Sequence, residues 1–72
     1  MTETDISSFH DACHTVIAEC PDGYAKAYAT AGLDLTGAHH IRTQCLYILN
    51  NMGRWRGDTA QQCREAFKQL SK

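Results

Sequence analysis

The sequence predicts an all-α protein, a compact bundle of three to four helices ending in an antiparallel helical hairpin. Three observations carry this expectation. Apolar residues recur in four separate stripes at the three- and four-residue spacing of an α-helix. Each stripe has its own start or stop residues, and nowhere does polarity alternate residue by residue as a half-buried strand requires. With 72 residues the chain holds a single helical domain, residues 1–72.

The first stripe is Ile6, Phe9, Cys13, Val16, Ile17 and Cys20, six side chains within about a third of the helix circumference. Thr4 or Asp5 is the expected N-cap, accepting an otherwise unpaired backbone N–H, and Pro21 stops the helix. Pro21 also suits the opening of a short second helix, whose expected buried stripe is Tyr24, Ala27, Tyr28 and Ala31. Its alanines favour close approach of another helix. Gly32 fits the left-handed position after the last turn, with Leu33 folding back onto that turn. The third helix is expected to be capped by Thr36 and to bury Ala38, Ile41, Cys45, Ile48, Leu49 and Met52. Leu46 lies to one side and widens its apolar surface, and Gly53 or Gly57 ends it. Asp58 and Gln61 have capping-box spacing for a fourth helix, whose stripe is Ala60, Cys63, Ala66, Phe67 and Leu70. Trp55 folds in at the corner between the last two helices.

A chain this short hides only about 60% of its unfolded surface, so a lone core is marginal. Together with the wide apolar face of the third helix, this predicts a symmetric homodimer. Hydrophobic residues make up an ordinary 43%, and no segment approaches the ~20 apolar residues of a membrane span. The acidic opening Met-Thr-Glu-Thr-Asp has no basic residue before a hydrophobic run, so a cytoplasmic protein without a membrane partner is expected. The net charge of −1 conceals an asymmetry. Residues 1–36 carry six acidic residues against Lys26 alone, net −5, and residues 37–72 carry six basic against two acidic, net +4. Complementary halves, within one fold or across a head-to-tail dimer, explain this better than an anionic partner does, because the basic residues form no dense patch.

The residues able to do chemistry fall mostly on the stripes. All four cysteines do, which predicts reduced core thiols. Cys13 and Cys20 stand about 10 Å apart by helical rise and cannot pair. His10, Cys13 and His14 are the best metal-ligand spacing, but no matching pair occurs in the second half, and His14 points away from the stripe holding Cys13. A metal-stapled module is therefore a secondary alternative, and no cofactor is expected. His-Asp-Ala-Cys-His looks like a haem attachment string lacking its first cysteine. His39, His40 and Arg42 after Gly37 suit weak anion binding at a helix start. Arg56-Gly57-Asp58 spells an integrin-binding tripeptide, better explained as a turn glycine and a capping aspartate. No nucleophile–base–acid grouping, phosphate-cradling loop or carboxylate pair is present, so no enzyme is expected.

The polar side of the third helix is the better candidate. His40, Gln44, Tyr47 and Asn51 follow one another at spacings of four, three and four, with Arg54 three further on and Arg56 beyond. Tyrosine and arginine among hydrogen-bonding side chains are the composition of a contact surface. These six are the expected partner-binding residues. The alternative is anionic-ligand or nucleic-acid binding through the basic second half, with Arg42, Arg64 and Lys68 joining Arg54 and Arg56. Arg54-Trp55-Arg56 would then grip phosphates and bases, although a core this small needs its one Trp as an anchor. The stretch from Gln44 to Phe67, Gln-Cys-Leu-Tyr-Ile-Leu-Asn-Asn-Met-Gly-Arg-Trp-Arg-Gly onward, resembles small phage- or prophage-encoded helical proteins that modulate a host enzyme or defence complex. The resemblance implies a non-enzymatic protein-binding module and assigns no individual residue.

Overall fold

The computed structural model describes all residues from Met1 to Lys72. It has four helices, α1 (Glu3–Glu19), α2 (Gly23–Gly32), α3 (Ala38–Asn51) and α4 (Asp58–Leu70), and no strand. α1 packs on α2 and α4, and α3 packs on the same two, so the four close into a ring around one core. The connections, residues 20–22, 33–37 and 52–57, are short enough that successive helices reverse direction. Two hydrogen bonds show the reversal between α3 and α4. Arg42, near the start of α3, donates from Nε to the Lys72 carbonyl at 3.0 Å. The carbonyl of Met52, at the end of α3, accepts from Arg64 Nη2 at 3.1 Å. No helix is long and apolar enough to cross a membrane.

The core follows the stripes of α1, α3 and α4. Phe9, Cys13, Val16 and Cys20 come from α1 and its C-cap, Ile41, Cys45, Ile48 and Met52 from α3 and its C-cap, and Ala60, Cys63, Phe67 and Leu70 from α4. Phe9 meets Phe67 edge to face, centroids 6.1 Å apart and planes at 76°, the arrangement the ring quadrupoles favour. Trp55 is buried at the α3–α4 corner. Arg64 Nη2 also donates to the Trp55 carbonyl at 2.6 Å, so one guanidinium from α4 spans two carbonyls of the connection that follows α3.

The second helix departs from its expected packing. Ala25, Ala29 and Gly32 are its buried residues, whereas Tyr24, Ala27, Tyr28 and Ala31 face outward. The buried set lies one residue along from the expected one, a rotation of about 100°. Gly32 supplies the reason. It is the last residue of α2 and has no positive φ. A Cβ built on it would stand 2.9 Å from Phe9 Cζ and 3.1 Å from Cys13 Sγ. Gly32 is thus required by the contact with α1, not by a left-handed helix exit. Turning it inward carries Ala25 and Ala29 with it.

The caps also differ from expectation. α1 starts earlier, on Thr2, whose hydroxyl accepts from the Asp5 N–H at 3.1 Å while Asp5 Oδ2 accepts from the Thr2 N–H at 3.0 Å. This is a complete capping box with Asp5 as its second member. Asp22, and not Pro21, begins α2, its Oδ1 accepting from the N–H groups of Tyr24 and Ala25. Gly37 and Gly57 replace Thr36 and Asp58 as the N-caps of α3 and α4, without side-chain hydrogen bonds. At Gly57 the chain enters α4 with φ 109° and ψ 177°, a conformation open essentially to glycine alone. Asp58 is thereby moved into the first turn, where its charge still complements the helix dipole.

Gly32→Ala should separate the two accounts of this glycine. Helix propensity alone favours alanine by about 1 kcal/mol. Overpacking against Phe9, itself backed by Phe67, costs about 1–3 kcal/mol. The expected outcome is a lower melting temperature, by about 4–8 °C per kcal/mol of net loss. A variant that melts higher would show that α1 and α2 are not in close contact there.

A tyrosine face on the second and third helices

The outward rotation of α2 gathers all three tyrosines of the chain on the α2–α3 side of the bundle. Tyr24 is 73% exposed, Tyr47 47% and Tyr28 36%. Tyr28 and Tyr47 lie ring against ring across the two helices, centroids 5.5 Å apart and planes at 32°. One amide bridges the seam, and a second bonds within α3. Gln44 Nε2 donates to the Tyr28 carbonyl at 2.7 Å, bridging α3 to α2. Asn51 Nδ2 donates to the Tyr47 carbonyl at 2.8 Å. Because α2 and α3 run antiparallel, Tyr24 stands one turn beyond Tyr28 toward the C-terminal end of α3. Ala27 and Ala31, both exposed, extend the apolar surface of α2.

α2 is apolar on nearly every side. Of the ten residues of α2, only Lys26 and the threonine at 30 are polar apart from the tyrosine hydroxyls. Its inner face is met by α1 and α3, and on its outer side Tyr28 meets Tyr47 of α3 while Tyr24, Ala27 and Ala31 stay exposed. Leu46, although 51% exposed, belongs elsewhere. It sits on the flank of α3 that carries Arg42 toward α4, about 100° from Tyr47.

The expected contact residues are divided by this geometry. Tyr47 is on the face, Gln44 is half-buried and bridges to α2, Asn51 is half-buried and bonds one turn back within α3, and His40 is exposed near the start of α3. Arg54 and Arg56 are exposed on the 52–57 connection, on either side of the buried Trp55. Tyr24, Tyr28, Ala27 and Ala31 were not among the expected contact residues, since their spacing matched a buried stripe. The signal available was the second stripe, Ala25, Ala29 and Gly32, which fits the same period and leaves the tyrosines outside.

The residues of the two alternatives are more scattered. Arg64 is occupied by the Met52 and Trp55 carbonyls, and Arg42 by the Lys72 carbonyl at the opposite end of α4. Lys68 is exposed between them. Arg42 lines a shallow hollow of about 210 Å³ with Met1, Asp5, Gln69, Leu70 and Lys72. Among the metal-ligand candidates, Cys13 is buried under Gly32, His14 is exposed, and His10 Nε2 donates to the Leu35 carbonyl at 2.8 Å. No three His, Cys, Asp or Glu side chains stand close enough to hold a metal ion. No family model, curated protein or solved structure matches the chain.

All four cysteines are free and buried. Burial pushes the Cys13 thiol up to about 12, with smaller contributions from Cys45 and Cys63, and pushes Cys45 up to about 12 as well. Cys63 is raised by burial first, then by Glu19 and Cys20. Thiols held neutral are poor nucleophiles. The linkage has a definite sign: a folded-state value raised from 9.0 gives stability fully present below pH 9, lost as pH rises toward 12. Chemical denaturation is expected to show falling stability above pH 9, and a thiol reagent at neutral pH should label the cysteines only on unfolding. Rapid labelling of the native protein at Cys13 or Cys45 would contradict their burial.

Proposed function

We propose that the chain is a non-enzymatic protein-binding module whose working surface is the α2–α3 face, and that it modulates or inhibits the protein it captures. The observation that carries this is the outward presentation of Tyr24, Tyr28 and Tyr47 on two helices bridged by Gln44. Tyrosine supplies a large contact area with few rotatable bonds, and its hydroxyl keeps the surface compatible with water when the partner is absent. Neighbouring exposed rings on a bundle with only 17 buried residues form the kind of contiguous patch that marks an interaction site. His40 and Arg54 mark the polar ends of the face, and Arg56 extends it along the connection to α4. Such a role accords with the small phage-encoded regulators that the stretch 44–67 resembles.

The two facing tyrosines are paired within the chain itself. Gln44 ties α3 to the Tyr28 carbonyl of α2, and the Tyr28 and Tyr47 rings lie against each other, so the pair is assembled before a partner arrives. Preorganisation of this kind lowers the ordering cost of binding. The test is capture of partner proteins by the tagged chain, set beside Tyr24→Ala/Tyr47→Ala. Both side chains are largely exposed, so the variant should keep its helix signal and melting temperature. Retention of the captured protein should fall by about tenfold or more if the rings are interface anchors. Equal yields of the same proteins from both chains would contradict the assignment.

A further inference from the structure

No further inference is drawn: the strongest candidate, the patch of exposed rings that Tyr24, Tyr28 and Tyr47 form on the outer side of α2 and α3, belongs to the binding face already described, and nothing in the structure shows what covers it.

Discussion

The contact between Gly32 and the Phe9–Cys13 turn of α1 decides how α2 is rotated, and the rotation of α2 decides what the protein shows to solvent. Phe9 is completely buried and its ring is set edge-on against Phe67, so it has little freedom to yield. Only a residue without a side chain fits between α2 and that ring at the observed separation. With Gly32 turned inward, the 3.6-residue period brings Ala25 and Ala29 to the same side and swings Tyr24 and Tyr28 out. Small inner residues then let α2 lie close to α1, which a core this size needs.

The opposite end of the bundle is fixed by other means. Trp55 fills the α3–α4 corner, Arg64 spans the carbonyls of Met52 and Trp55, and Gly57 supplies the backbone turn into α4. These three act together: the buried indole holds the connection, the guanidinium satisfies its carbonyls, and the glycine permits the exit direction. Arg54 and Arg56 are left pointing away from the packed Trp. A polar pattern that suggests nucleic-acid binding in one dimension thus divides, in three, into one structural residue and two exposed ones.

Much of the architecture was legible in the residues. The stripes of α1, α3 and α4 each pair large apolar side chains with a polar opposite face, which leaves one sensible orientation. α2 was ambiguous because both its faces are apolar, and the stripe with larger side chains looked like the core. Volume misled there: the ring of Phe9 had already claimed the space, so the smaller stripe went inside. The caps shifted for a related reason. Thr2, Asp22, Gly37 and Gly57 are chosen by where the chain must enter each helix, and propensity alone does not encode that direction. On the proposed binding face, the outward position of Tyr47 follows from the spacing on α3. For Tyr24 and Tyr28 the spacing allowed either stripe inside, and the choice is made by the distant contact of Gly32 with Phe9 and Cys13.

The orientation of α2 underlies both the packing and the proposed binding face, and paired substitutions on its two sides test it most directly. Alanine and leucine have nearly equal helix propensity, so Ala29→Leu and Ala27→Leu differ only in what surrounds them. Ala29 is fully buried and Ala27 exposed. Equilibrium unfolding should show Ala29→Leu destabilised by about 1–3 kcal/mol through overpacking, with Ala27→Leu within about 0.5 kcal/mol of the parent. The reverse order, with Ala27→Leu the damaging change, would put the tyrosines in the core and remove the face on which the functional account stands.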